Sequence, residues 1–348
     1  MARNVPSRRT GRRPTLRDVA KLAGVDPSLV SRIVNNDPRA ASTAQTRQRV
    51  LDAVEQLGYR ASVAARSLRT ARTMTVGLLL PDLSNPMYVS IVRGVEQTAR
   101  ELGYGVVLGS QIDSDPRDEL TRLLRDGRVD GLLVASGMLH DDLLRDAAVQ
   151  GPGPIVLVNR HVEGVEASVT LDDAAGAALA VAHLASLGHT SITALLGPTE
   201  IDTTLRRQAG FRRECAERGI EAVEINAGSW TAQAGYDAVR GVLQSDEPRP
   251  TAIFASTFAM GLGTLRATRE CGVEVPADLS VVTLHDSELA DYTHPRLTAI
   301  AMPSEEMGAT AMRMLDRMVA GDNPDQIVLT TPPALSLRSS TAPPPASS

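Results

Sequence analysis

The residues of this chain best suited to chemistry are its basic ones, and they crowd one end. Between Met1 and Arg72 there are 15 Lys and Arg against 5 Asp and Glu, a local net charge of +10 in a chain of 348 residues whose total is −5. A basic head on an acidic body is the electrostatic footprint of a nucleic-acid module joined to something else. Within the head, Arg32 has the one side chain of its segment able to fork two donors onto a guanine edge. Arg8, Arg9, Arg12 and Arg13 form a basic arm that either adds non-specific phosphate affinity or is simply disordered. Signatures of catalysis are missing. There is no G-x-G-x-x-G or P-loop phosphate cradle and no H-E-x-x-H metal pair. No G-x-S-x-G elbow accompanies a workable Ser-His-Asp set, and the six histidines are scattered. His183 and His189, at the end of one helical stretch, read as structural. Cys215 and Cys271 lie far apart and offer neither a disulfide framework nor a C-x-x-C site, as in a reducing compartment. The expectation is a protein that is not an enzyme and needs no cofactor or metal.

A side chain that reads base edges needs a rigid platform, and the pattern around Arg32 supplies one. Leu16, Val19, Ala20 and Ala23 fall at helical spacing, and Gly24 offers the positive φ that ends a helix. Asp26 followed by Pro27 starts a second helix, as a cap and a first-position proline. Its apolar positions Val30, Ile33 and Val34 leave Ser28, Leu29, Ser31, Arg32 and Asn35 on other faces. Two short helices joined by a tight turn make a helix-turn-helix, whose second helix fits the major groove. A third helix follows, with a capping box over Ser42 to Gln45 and a buried stripe of Val50, Leu51, Val54 and Leu57.

The remaining three quarters read differently. Strand-like runs at 76–80, 106–108, 131–135, 155–158, 192–196, 252–254 and 281–284 alternate with amphipathic stretches. One of these starts at Asn85-Pro86 and buries Tyr88, Ile91, Val92, Val95, Ala99 and Leu102. Such alternation implies parallel sheets with helices on both faces, and the stretch is long enough for two of them. Ligands in doubly wound sheets bind beyond the carboxyl ends of the strands, so the natural site is a cleft between two lobes. Aromatics make up 3% of the chain, so the core must rest on Leu, Val, Ala, Ile and Met. No apolar run approaches the roughly 20 residues of a membrane span. Arg17, Asp18 and Lys21 interrupt 16–25, so that segment is no signal peptide, and the expected location is the cytoplasm with no membrane partner.

Residues 15–68 resemble the head of the lactose/galactose repressor (LacI-type) family. Its pattern is approximately T-x-x-D-V-A-x-x-A-G-V-S-x-x-T-V-S-R-x-x-N, then L-G-Y, then A-R-S-L. Here Asp18, Val19, Ala20, Ala23, Gly24, Val25, Val30, Ser31, Arg32, Asn35, Leu57, Gly58, Tyr59, Ala65, Arg66, Ser67 and Leu68 stand in register with it. The resemblance continues through PDLSNP at 81–86, VDGLLV at 129–134, LGHTSI at 187–192, PADLSVV at 276–282 and the ending SLRSSTAPP at 336–344. It implies an α/β protein with an all-α helix-turn-helix head and a two-lobed, doubly wound sensor like periplasmic sugar-binding proteins. The implied domains are a basic arm at 1–14, the head at 15–61, a hinge helix and linker at 62–72, and an effector-binding and dimerisation domain at 73–341. Lobe one would take about 73–171 plus 303–322, and lobe two about 172–301 plus 324–338.

The resemblance also implies roles. Pro27, Ser28 and Arg32 would face base edges, while Thr15, Ser31, Asn35 and Tyr59 would bond phosphates. Ala65 and Leu68 would sit in the minor groove, Leu68 as a wedge between base pairs. Asp26 and Leu29 depart from the family's Ser and Thr, and a carboxylate near phosphate disfavours ordinary phosphate contact there. The family's leucine-heptad tail has no counterpart in the Pro- and Ser-rich 341–348, so a homodimer on double-stranded operator DNA is expected rather than a tetramer. For the effector, family positions map onto Asn159, Arg207, Thr257 with Phe258, and His285; of the usual polar set only the arginine is retained. The loss of carboxylates leaves two effectors open. One is anionic or less polar than a free hexose, held by Arg207 and His285 beside Phe258. The other is an ordinary sugar bound through Asp82, Tyr88, Trp230 and Asp286.

Overall fold

The computed structural model describes residues 14–34, 40–59, 72–81, 85–110, 122–135 and 141–345. The expectations placed on the basic arm, Asn35, Ala65, Leu68 and Asp82 lie outside those residues. The chain divides into two units, Met1–Thr73 and Met74–Ser348.

In the first unit α1 spans Leu16–Ala23. Thr15 caps it with a full capping box: its hydroxyl accepts from the Asp18 N–H while the Asp18 carboxylate accepts from the Thr15 N–H at 2.8 Å. Gly24, at φ 66°, ends it in the left-handed region. Helix α2 covers Pro27–Val34 and α3 covers Ala44–Leu57. Val19, Ala20, Ala23, Val30, Ile33, Val50 and Ala53 close a small core among the three. Two details differ from the sequence reading. Thr43, not Ser42, caps α3, its hydroxyl accepting from the Thr46 N–H at 3.2 Å. Leu51 is 41% exposed because the inward stripe runs through 50, 53, 54 and 57, which puts 51 about 100° off that face.

The second unit holds two six-stranded sheets. The first runs β11-β5-β4-β3-β1-β2, with β1 Thr75–Leu80, β2 Gly105–Ser110, β3 Leu132–Val134, β4 Ile155–Val158, β5 Ser168–Thr170 and β11 Gln326–Val328. The second runs β12-β10-β9-β8-β6-β7, with β6 Ser191–Leu196, β7 Glu221–Asn226, β8 Ala252–Ala255, β9 Ser280–Leu284, β10 Thr298–Ala301 and β12 Ala334–Ser336. Every pairing is parallel except β10 with β12. Both sheets reverse winding at their first strand, β1 and β6, the doubly wound arrangement. Helices α4 (Pro86–Leu102), α5 (Asp141–Gln150) and α10 (Ser304–Ala320) belong with the first sheet. Helices α6 (Asp173–Ser186), α7 (Asp202–Arg218), α8 (Ala232–Leu243) and α9 (Phe258–Glu270) belong with the second. The chain passes between the lobes after β5, after β10 and after β11. All seven strand-like runs are strands. Of those that the pattern missed, β7 is largely exposed, β5, β11 and β12 have three residues each, and β10 is a buried four-residue strand, Thr-Ala-Ile-Ala, with only two strongly strand-favouring residues.

Candidate functional site

Two places concentrate chemistry, one in each unit. On the head, α2 buries Val30 and Ile33 and leaves Arg32 and Ser28 exposed, with Pro27 and Ser31 half-buried. Asp26 accepts from the Ser28 N–H at 2.7 Å, capping α2. Hydrogen bonding to the side chain and backbone of Ser28, with Arg32 adding a smaller pull, holds the Asp26 carboxyl below the ordinary aspartate range. Asp26 and Ser28 are therefore tied to each other. Thr15 spends its one hydroxyl proton on Asp18, 2.7 Å away, so a phosphate bond donated there requires that hydroxyl to turn. Leu29 and Tyr59 are half-buried against the head core.

In the second unit, loops at the carboxyl ends of the strands enclose a cleft of about 390 Å³ including open solvent. Ala135 follows β3, Val158 and Asn159 end and follow β4, and Thr257 follows β8, joined by Tyr88, Arg207 and Trp230. The lobes meet at its floor. The Thr203 hydroxyl donates to the Asn159 carbonyl at 2.9 Å, and the His161 N–H donates to Asp202 at 2.9 Å. Asn159 adopts φ 58°, a left-handed backbone that asparagine tolerates better than most residues. Its Oδ1 and the Trp230 Nε1 are buried without hydrogen-bond partners among the described residues.

Arg207 dominates the electrostatics. It is 2% exposed and donates to Asp173 at 2.8 Å, to the Ser256 carbonyl at 2.9 Å and to His285 Nε2 at 3.1 Å. Asp173 is fully buried and also takes Arg206 at 2.8 Å, while Arg206 pairs with Asp202 at 2.6 Å. Burial works against the Asp173 carboxylate, but Arg207 and Arg206 outweigh it and leave its pKa below the ordinary value. Two arginines and two aspartates make the cluster neutral. Arg160, another buried lining residue, pairs with Asp141. A guanidinium has no acceptor, so His285 Nε2 must offer its lone pair and the ring proton sits on Nδ1, 3.5 Å from the Ser304 hydroxyl. Burial, then Arg207, push the His285 pKa down to about 3, so the imidazole is neutral.

Comparison with known proteins accounts for both places at once. Residues 15–62 match the family model for bacterial regulatory proteins of the lacI family, and residues 181–341 that of a periplasmic binding protein-like domain. Catabolite control protein A of Priestia megaterium is 32% identical over 94% of this chain and 99% of its own. This chain belongs to the LacI family. It is a DNA-binding transcription regulator with a helix-turn-helix head and a periplasmic-binding-protein-like effector-binding domain, and not an enzyme. Among solved structures, the lac repressor dimer bound to operator and the anti-inducer ONPF is similar at TM-score 0.81 and 27% identity, over 95% of this chain and 100% of that one. The transcriptional regulator CelR in complex with cellobiose matches at TM-score 0.70 and 31% identity, over 94% and 100%.

Within this LacI-family chain, Tyr88, Asn159, Arg207, Trp230 and Thr257 come together as cleft lining. Phe258 and His285 do not. Phe258 is 0% exposed in the core beneath α9, because Thr257 caps that helix and the next side chain turns inward. His285 is 2% exposed and faces Arg207 and Ser304, so it is neither cationic nor in the lining. Asp286 points to Arg338 at 2.8 Å, beside a separate surface groove. Sequence reading missed Asn85, Met87, Ala135, Val158, Arg160 and Thr203 in the lining, and missed Asp173 altogether. The signal for Asp173 was present: of the pair Asp172-Asp173, only Asp172 is needed to cap α6.

Proposed function

We propose that this regulator is a repressor that binds a pseudopalindromic operator as a homodimer, controlled by a small, neutral, polar effector in the interlobe cleft. In this reading the head at 15–61 places α2 in the major groove, where Arg32 forks onto a guanine and Pro27 and Ser28 touch neighbouring edges. Thr15, Ser31, Asn35 and Tyr59 hold phosphates, and the 62–72 hinge presents Ala65 and Leu68 to the minor groove. The domain at 73–341 senses the effector. Arg32→Ala costs about 1–3 kcal/mol on the operator and relaxes specificity at one position per half-site. Equal weakening on operator and random DNA, measured side by side, would show that Arg32 binds only phosphate.

The observation that carries the effector class is the charge balance of the lining. Asp173 already neutralises Arg207, Asp141 neutralises Arg160, and His285 carries no charge. An anion would find no unmatched cation among these groups, and would lose its hydration for nothing. A neutral polyol instead finds the Asn159 Oδ1 acceptor, the remaining Arg207 N–H groups, and the aromatic faces of Tyr88 and Trp230. The anionic alternative is therefore set aside in favour of an uncharged sugar. The relatives' complexes with cellobiose and with ONPF point the same way. Calorimetry with neutral sugars and their phosphates decides; tight binding of the phosphates alone reverses the assignment. For the dimer, support comes from a groove shared by exposed Val89 and Leu289, with Tyr292 85% exposed on the same short turn as Leu289. A monomer at micromolar concentration in sedimentation equilibrium would refute it.

A further inference from the structure

We propose that Gly197 is the residue that positions the aromatic wall of the cleft, and through it sets which effectors fit. Gly197 follows the last residue of β6, at the same strand-end level as Asn159 and Thr257. Its backbone is not left-handed, so nothing about its φ excludes a side chain. Space excludes one. A Cβ built there lies 2.0 Å from Trp230 Nε1, 2.4 Å from Cε2 and 2.6 Å from Cδ1, closer than real Cβ contacts allow. All three atoms belong to the pyrrole ring, so the indole rests its five-membered edge directly on the glycine. That contact also accounts for a buried Nε1 with no hydrogen-bond partner among the described residues: shape fixes the ring.

The indole cannot yield by moving its own backbone. The Trp230 carbonyl accepts from the Thr257 hydroxyl at 3.2 Å, and the next residue, Thr231, caps α8 through the Ala234 N–H at 3.2 Å. Upstream, the Ala227 N–H bonds the Leu196 carbonyl at 2.9 Å, and Gly228 turns the chain at φ 68°. Behind the ring stands the packed core of Leu195, Tyr236 and Phe258. An added methyl at 197 therefore turns the ring about its side-chain bonds, and the open side is the cleft that Trp230 lines. With glycine the indole is held back and the cleft is at its widest; any larger residue narrows it. This extends the assignment of the cleft as the effector site and depends on it.

The test needs no effector, so its failure is distinguishable from failure of that assignment, which the sugar calorimetry examines. Trp230 is the sole tryptophan among the 348 residues, so intrinsic emission reports this wall alone. The full-length wild type, Gly197→Ala, Trp230→Ala and the double variant are compared, with acrylamide as the quenching probe. Gly197→Ala is expected to shift Trp230 emission to the red, increase acrylamide quenching and lower the melting temperature by several degrees. In the Trp230→Ala background the same glycine substitution should cost little, because the clashing atoms are gone. If Gly197→Ala does not fold, recovery of folding in the double variant supports the proposal and failure to recover overturns it. A folded Gly197→Ala with unchanged emission and quenching, or an equal melting loss with and without the indole, also overturns it.

Discussion

His285 gives the sharpest test of the buried network. Its pKa falls from 6.5 to about 3 on burial beside Arg207. A base whose folded pKa is depressed contributes stability above its unfolded pKa and loses it as pH drops, because the unfolded chain takes a proton that the folded chain refuses. The window therefore runs from 6.5 down to about 3. Between pH 7 and pH 5 the linkage removes about 2 kcal/mol of stability through this one residue. His285→Gln keeps an acceptor for Arg207 and a donor for Ser304 but cannot titrate. His183 and His189 are also lowered by burial, with a further push on His183 from His189, and they share the acid limb. They cancel when variant and wild type are compared at each pH. Urea unfolding at pH 7, 6 and 5 should show the wild type losing about 2 kcal/mol more than His285→Gln over that range. Parallel curves would mean that His285 is protonated in the folded protein or solvated, and the proton assignment on Nδ1 would fall.

Two further substitutions probe the same logic. Asp173→Asn removes the carboxylate that Arg207 and Arg206 share with no exposure to solvent, leaving Arg207 a buried cation without its countercharge. A loss of roughly 3–5 kcal/mol is expected in chemical denaturation, and a change within error of zero would mean that water reaches the pair. Thr15→Ala deletes the α1 cap and should weaken the start of that helix by about 1 kcal/mol. Amide exchange at Asp18, whose N–H is shared between the Thr15 hydroxyl at 3.4 Å and the Thr15 carbonyl at 3.0 Å, should speed up; an unchanged rate argues that the carbonyl alone protects it.

Much of the architecture was legible because local pattern and tertiary structure agree. In α1 the apolar spacing and the terminal glycine state the same helix, and the structure places it at Leu16–Ala23, with a Thr15 cap that the pattern reading did not use. Six of the seven strand-like runs are interior strands, apolar because both faces of a parallel sheet are covered, which makes them stand out; the seventh, β2, is an edge strand whose Val107 and Leu108 are exposed. Marginal strands carry no such signal. In β7 the sequence EAVEIN is mostly solvent-facing, and β11 and β12 contribute three residues each to sheets formed by chain far away in sequence. Helix phase likewise overrode composition at Leu51, an apolar residue that the 50-53-54-57 stripe leaves outside.

The cleft shows a different limit, since residue type alone does not give the charge that a site presents. Reading His285 and Arg207 by position suggested a basic pocket for an anion. Folding removes that basicity in two ways: burial strips the imidazole of its proton, and Asp173 arrives from the first turn of α6 to match the guanidinium. The carboxylate missing at the position now held by His285 is supplied from a segment more than a hundred residues earlier in the chain. Only the geometry reveals this, because Asp173 and Arg207 lie on neighbouring helices whose packing no local pattern specifies. The same buried group reaches Ser304 at the start of α10, so it spans the second crossover between the lobes. A network that is neutral, buried and anchored in both lobes is suited to holding their relative position. Under the proposed reading, recognition of a neutral effector would fall to the opposite wall, where Asn159 Oδ1 has no hydrogen-bond partner among the described residues.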